Sequence, residues 1–172
     1  MKKVLAIIDH IYEDLELWYP KIRAEEAGYE VVVAAPEAGV SYDGKHGYPC
    51  ISDARIADMN ASDFVGFLIP GGFAPDKLRR DPKVLELTRE FDAANKPIAY
   101  ICHAGWICIS ADILRGRKAT STVGIKDDMS NAGAIWSDEA LVVDGNHITS
   151  RTPKDLAVFG KAFVEALDSF CQ

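Results

Sequence analysis

The chain has 172 residues, 48% apolar and 26% charged, with 19 Lys+Arg against 26 Asp+Glu for a formal net charge of −7. That length predicts a single domain spanning 1–172, and the composition excludes intrinsic disorder and collagen-like structure. An acidic protein without a basic face is no nucleic-acid partner, and no apolar run approaches the ~18 residues of a membrane-spanning helix, so no membrane role is expected.

Val4 to Ile8 is a continuous apolar run, too short for a helix, and reads as a buried strand. It opens like a secretion signal, but the apolar stretch stops at Asp9 and no small-residue cleavage site follows, so the chain reads as cytoplasmic. Leu15 to Ala27 has helical spacing and ends at Gly28, a natural C-terminal cap. Glu30 to Ala35 is a second buried strand, closed by Pro36. A turn-rich stretch over Val40–Gly47 precedes a short strand at Tyr48–Ser52. Phe64 to Ile69 is again a strand and runs straight into Pro70-Gly71-Gly72; a helical turn follows over Pro75–Arg80. Pro82 to Ala94 is a helix with Asp81 as its N-cap.

Pro97 to Ile101 is the next strand, and a helix begins after Cys102 and runs to about Leu114. Arg115-Gly116-Arg117-Lys118 reads as a solvated helix end. Ala119–Thr122 is a short strand, and Ile125–Asn131 a short helix ending near Gly133. Leu141–Val143 and His147–Ser150 flank Asp144-Gly145-Asn146, a hairpin signature, and Pro153–Phe170 is a terminal amphipathic helix. Strand–helix alternation of this kind implies an α/β fold: a mostly parallel sheet with helices on both faces.

In open sheets of this class ligands gather beyond the carboxyl ends of the strands. Three such ends carry unusual residues: Tyr12-Glu13-Asp14-Leu15-Glu16, Pro70-Gly71-Gly72, and Ile101-Cys102-His103-Ala104-Gly105-Trp106. Cys102 stands at a strand-to-helix turn, the bend that presents a nucleophile above a sheet. The adjoining helix start predicts that it is the one strongly acidic thiol, whereas Cys50, Cys108 and Cys171 read as packing residues. His103 is awkward as a partner, because adjacent side chains on regular structure point apart. Either the turn is strained enough to bring the imidazole beside sulfur, or His103 only shapes the pocket.

Gly71-Gly72 lets backbone amides approach a ligand, as an oxyanion hole needs, or is simply a turn. Glu13 is the member of the acidic cluster expected to face Cys102, protonated and donating to sulfur. The plainer reading of Glu13, Asp14 and Glu16 is a first helical turn favoured by the helix dipole. His10, His46 and His147 read as satisfied polar residues. There is no C-x-x-C pair, no zinc spacing, no Walker motif and no G-x-G-x-x-G, so no metal and no nucleotide cofactor is indicated.

Taken together these segments resemble the PfpI branch of the ThiJ/PfpI superfamily. The likeness covers essentially the whole chain, through Tyr12-Glu13-Asp14 with Glu16, Gly44-Lys45-His46-Gly47-Tyr48, Pro70-Gly71-Gly72 and Ile101-Cys102-His103. It continues through Leu114–Lys118, Gly124-Ile125-Lys126-Asp127-Asp128 with Asn131-Ala132-Gly133, and Thr149-Ser150-Arg151 followed by Pro153 and Asp155.

The resemblance implies a flavodoxin-like three-layer sandwich with a nucleophile elbow, as in class I glutamine amidotransferases. It implies Cys102 as nucleophile, His103 as partner, Glu13 touching the sulfur, and Gly72 and Ala104 amides as oxyanion donors. It further implies that Asp76 is the third catalytic acid and serves a neighbouring subunit, so that the protein is a homodimer or larger homo-oligomer. Three departures stand out: Ala104-Gly105-Trp106 after Cys-His, which puts Trp106 near the pocket wall; Phe73 where an arginine often follows Gly-Gly; and Thr122-Val123 in place of an aromatic before Gly124. The implied function is a cofactor-independent, cysteine-dependent stress enzyme acting on a peptide, an amide or a small carbonyl compound such as methylglyoxal or its protein adducts. A non-enzymatic redox-sensing or chaperone-like role of Cys102 is the second reading.

Overall fold

The computed structural model describes all residues, Met1–Gln172. The first half runs β1 (Lys3–Ile7), α1 (Asp14–Glu26), β2 (Glu30–Ala35), β3 (Ser41–Asp43), β4 (Pro49–Ile51), β5 (Ala54–Arg55), β6 (Gly66–Ile69), α2 (Ala74–Leu78) and α3 (Pro82–Ala93). The second half runs β7 (Ile98–Ile101), α4 (Gly105–Ser110), β8 (Lys118–Ala119), α5 (Lys126–Asn131), β9 (Ile135–Trp136), β10 (Val142–Asp144), β11 (His147–Ser150) and α6 (Leu156–Phe170).

Apolar runs flanked by turn residues become central strands because burial on both faces suits them. Val4 to Ile7, Phe67 to Ile69 and Ile98 to Ile101 are at most 1% exposed. They lie in a seven-stranded sheet ordered β10-β11-β7-β6-β1-β2-β5, parallel except for the β10–β11 hairpin. Neighbouring side chains on β6 mark the two faces of the sheet. A Cβ at Gly66 would collide with Leu167 of α6, whereas Phe67 stacks on Phe91 of α3 at 4.7 Å between centroids. Helix α6 pairs with α1 on the first face, with Gly160 tight against Tyr19, and α3 packs on the other. The result is the expected α/β three-layer sandwich.

The differences from the sequence expectations are local. The helix after Cys102 does not run to Leu114. A 3-10 turn over Cys102–Ala104 comes first, α4 ends at Ser110, and Asp112 at φ 58° redirects the chain. The strand expected over Ala119–Thr122 lies earlier and is shorter: β8 shares only Ala119 with it and pairs with β9, and β9 and β5 carry no periodicity to betray them. The helical turn over Pro75–Arg80 is α2, one residue earlier at its start. Because β1, β6 and β7 are neighbours at the centre of the sheet, their three carboxyl-end loops converge.

Candidate active site

Cys102 follows directly on β7 with φ at +61°, in the left-handed region that a non-glycine residue rarely adopts. This strain resolves the question left open for His103. The reversed backbone swings its imidazole back, and Nδ1 lies 3.2 Å from the Cys102 sulfur. The crowding around the elbow requires glycine at the end of β6. A Cβ on Gly71 would sit 2.6 Å from a Glu16 carboxylate oxygen and 2.9 Å from Cβ of Cys102. At Gly72, φ is +79° and a Cβ would meet the Ile11 carbonyl oxygen. The two glycines divide their amides. Gly71 N–H donates to Glu16 Oε1 at 2.9 Å and is therefore not a free oxyanion donor. The Gly72 amide, together with that of His103, faces the sulfur. Ala104 is fully buried in the 3-10 turn.

The acidic cluster is arranged differently from the expectation, and Glu13 is not the residue on the thiol. Glu13 is the N-cap of α1, its Oε2 accepting from the Glu16 amide at 2.9 Å, and its Oε1 lies 3.6 Å from His46 Nε2. Asp14 is a staple: its two oxygens accept the His46 and Tyr48 amides at 2.8 Å each. Glu16, with no exposed surface, is the carboxyl that shares hydrogen bonds with Gly71 and Cys102. Its second oxygen is buried and has no partner. The physical reason is the helix start. A cap side chain turns back onto its own helix, while the residue three positions later points under the sheet edge. Leu15 beside it is 57% exposed, so the hydropathy of this turn is inverted: the apolar residue faces out and the acid faces in. The signal that could have found Glu16 was the E-x-x-E spacing, in which the first acid is consumed as a cap.

Burial, then the charge of Glu13, push the Glu16 carboxyl up to about 8. Burial first, then the proximity of Glu16, push the Cys102 thiol up to about 12, outweighing the His103 and Gly72 amides. Cys102 is thus not the acidic thiol expected of a helix start. The turn behind it is 3-10 and α4 is only six residues long, too little dipole to offset a buried acid. Burial, with Lys45 nearby, lowers the His103 pKa, so the imidazole is neutral at neutral pH and able to accept the thiol proton. Its Nε2 has no hydrogen-bond partner within the chain, and Gly124 leaves the space over it open.

These groups line a cavity of about 270 Å³. Sequence reasoning did not place Lys45, His46, Thr152 and Pro153 on its outer wall, where they join Phe73 and Thr122, two of the departures from the family pattern. The loop bearing Thr152 and Pro153 is fixed by Arg151, whose guanidinium and amide bind Asp155. Trp106 is not on the wall. Its ring packs tilted against His103 at 5.0 Å between centroids, donates to Asp128 and lies under the Arg79 guanidinium, on an outer depression. Nor does the chain bring Asp76 to its own His103. Asp76 sits on α2, half exposed, paired with Arg80 at 2.7 Å. A larger, more apolar groove of about 680 Å³ adjoins the cavity through Glu13, His46 and Pro153 and is walled by Leu15, Trp18, Ile22 and Tyr48. Ligand atoms of Glu13, Asp14 and His46 lie within 4.8 Å of one another, but the cap and staple bonds already occupy three of the four carboxylate oxygens.

A thiol on a strained strand-to-helix elbow, with an imidazole at its side and a protonated carboxyl beneath, defines a cysteine-nucleophile α/β protein. The comparisons agree. The chain matches the DJ-1/PfpI family over residues 2–166 and belongs to that family. It is 44% identical over 165 residues to deglycase PfpI of Pyrococcus furiosus, covering 96% of this chain and 99% of that one. A deglycase of Pyrococcus horikoshii is 45% identical with the same coverage. Among solved structures, a two-domain protein from Anabaena variabilis with DJ-1/ThiJ/PfpI-like and ferritin-like domains superposes with a TM-score of 0.95 at 43% identity. That likeness covers 98% of this chain and 48% of the longer protein.

Proposed function

We propose that the protein is a cofactor-independent, cysteine-dependent enzyme of PfpI type that attacks reactive carbonyl or amide carbons, with deglycase chemistry as the leading activity. The observation that carries this reading is the 3.2 Å contact between the Cys102 sulfur and Nδ1 of a His103 held neutral by burial. As the sulfur adds to the carbonyl carbon, the imidazole takes the thiol proton and the carbonyl electron pair moves to oxygen. The Gly72 amide, which faces the sulfur, is our proposed donor to the nascent oxyanion. In an aldehyde the product is a thiohemiacetal, with the proton returned from His103 to oxygen. In an amide the adduct collapses, the amine leaves with that proton, and water then releases the acyl group from sulfur. In a glycated amine the sulfur displaces the amine, which leaves with that proton. The resulting thiohemiacetal passes its hydrogen to the neighbouring carbonyl through an enediol, giving an acyl-sulfur that water releases as the hydroxy acid. The deglycase names of both Pyrococcus relatives favour the glycated substrate over the peptide. A purely redox-sensing role draws less support, because both Pyrococcus relatives are named for an enzymatic activity.

The partnership of His103 completes the reading. With Nδ1 accepting from sulfur, Nε2 carries the hydrogen, and a carboxylate there would hold the tautomer. Asp76 of a neighbouring copy is our candidate, and the exposed Leu15, Ile22 and Tyr48 offer apolar surface for such an assembly. A cytoplasmic location fits this chemistry, and no helix is long and apolar enough to cross a membrane. The test is turnover of methylglyoxal, glycated amines and fluorogenic peptides by the wild type and by Cys102→Ser. Activity lost in the variant supports the reading, and equal rates in the two proteins refute it. Mixing Cys102→Ser with Asp76→Ala subunits under exchange tests the shared site: recovered activity supports it, and none at any ratio sinks it.

A further inference from the structure

The cavity at Cys102 has one lysine or arginine on its walls, Lys45, and the mechanism above gives it no task. Its placement is built rather than incidental. The Lys45 amide donates to the Tyr12 carbonyl at 2.7 Å, and the Gly44 amide donates to the Tyr48 carbonyl at 3.1 Å. The Asp14 carboxylate grips the amides on either side of Gly47, those of His46 and Tyr48. Gly44 has no room for a side chain because Asp14 fills that space. The loop therefore delivers the ammonium to the mouth of the cavity, 5.7 Å from the centroid of the Phe73 ring.

Its charge is not spent within the chain. Lys45 makes no ion pair, while the carboxylates on the same wall are otherwise engaged. Glu13 caps α1 and faces His46, and Glu16 is bonded to Gly71. Burial keeps Glu16 protonated near neutral pH, so it does not neutralise the lysine. Lys45 is thus the one lysine or arginine at this cavity, and the Glu13 charge that shares the wall is turned into the α1 cap rather than paired with it, so the ammonium is left to act on whatever enters.

We propose that Lys45 makes this an anion-selective site, whose preferred substrates are small carbonyl compounds carrying a carboxylate next to the carbonyl carbon. The inference rests on Cys102 as the attacking group and adds the substrate class. A volume of about 270 Å³ holds a compound of a few carbons beside the sulfur, with its carboxylate turned toward the ammonium. Thr122 and Thr152 on the same wall are available to the remaining oxygens.

Paired alkylating reagents test this without requiring turnover. Iodoacetate and iodoacetamide differ in charge and little in size, and iodoacetate carries its carboxylate one bond from the reactive carbon, as a 2-oxo acid does from its carbonyl. The ratio of their rate constants at Cys102, followed by mass spectrometry, cancels any change in thiol acidity, because both reagents need the same thiolate. We expect Lys45→Gln to lower the iodoacetate-to-iodoacetamide ratio about fivefold, the scale of one accessible charge pair, and Lys45→Arg to keep it. The proposal is overturned if wild type and Lys45→Gln give the same ratio, or if Lys45→Arg loses as much as Lys45→Gln. A flat ratio in a protein whose turnover is still abolished by Cys102→Ser removes the anion subsite and leaves the nucleophile standing.

Discussion

Two histidines sit on the same pair of neighbouring strands, near opposite ends, in opposite circumstances. His147 opens β11 beside Ile98, fully buried. The Tyr100 hydroxyl donates to its Nδ1 at 2.8 Å, and its Nε2 donates to Asp92 at 2.7 Å. Asp92 in turn binds Arg117 and Asn146. Both ring nitrogens are used, the backbone is extended, and no cavity opens there. His103, beyond the carboxyl end of β7, rides on a strained elbow. One of its nitrogens is free, an acid oxygen beneath is unpartnered, and a cavity lies in front. A network that uses both imidazole nitrogens, with Asn146 Oδ1 its one buried atom left unpartnered, holds strands together. An open, strained and partly unsatisfied one keeps its donors and acceptors for a substrate. The residue type does not separate the two roles; the remaining hydrogen-bond capacity does.

The largest expected effect separates them outright. Cys102→Ser should lower turnover of a glycated amine by about a thousandfold or more while shifting stability little. His147→Ala should do the reverse. It removes a fully buried ring and leaves the Tyr100 hydroxyl unpaired, while Asp92 Oδ1 loses one of its three donors, so a loss of about 3 kcal/mol is expected in urea unfolding. A His147→Ala protein within 1 kcal/mol of wild type by the same measurement, with activity abolished, would invert the comparison.

Much of this was legible in the sequence, and the reasons are specific. The strands β1, β2, β6 and β7 announced themselves because parallel central strands are continuous apolar runs. The elbow did so because a cysteine between such a run and a helix has few other readings. Pairwise geometry at the helix start was not legible. Glu13 and Glu16 are the same residue type three positions apart, and only the cap bond of Glu13 decides which one turns inward. The assembly of the outer wall was hidden for another reason: Lys45, Phe73, Thr122 and Thr152 come from four separate loops that only the sheet order brings together.

The acid beneath the thiol sharpens the contrast through pH. Burial raises Glu16 from an ordinary 4.5 to about 8, so between those values the folded chain holds a proton that the unfolded chain has released. Stability from this group is full below about pH 4.5 and is lost as pH rises toward 8, with a slope of about 1 kcal/mol per pH unit. Glu16→Gln keeps an oxygen for the Gly71 amide and cannot titrate, so that slope should vanish when unfolding is compared across pH. The pH of half-maximal Cys102 alkylation should also come down, since the carboxylate that opposes the thiolate is gone. An unchanged slope in Glu16→Gln would place the titrating group elsewhere.

The smallest effect concerns the elbow itself. At an ordinary position alanine stabilises relative to glycine by about 0.5–1 kcal/mol, because glycine loses more backbone freedom on folding. At φ +61° the sign should reverse, since a Cβ in the left-handed region costs about 1–2 kcal/mol and glycine carries none. Cys102→Gly and Cys102→Ala both delete the sulfur, the His103 contact and the opposition to Glu16, so those losses largely cancel between them. What remains is the backbone, and Cys102→Gly should exceed Cys102→Ala by about 1 kcal/mol in equilibrium unfolding. The same pair at Ala99, one of the extended residues of β7, should favour the alanine found there. If alanine is the better residue at both positions, the elbow is not strained, and the close approach of His103 to the sulfur must come from packing against Trp106 instead.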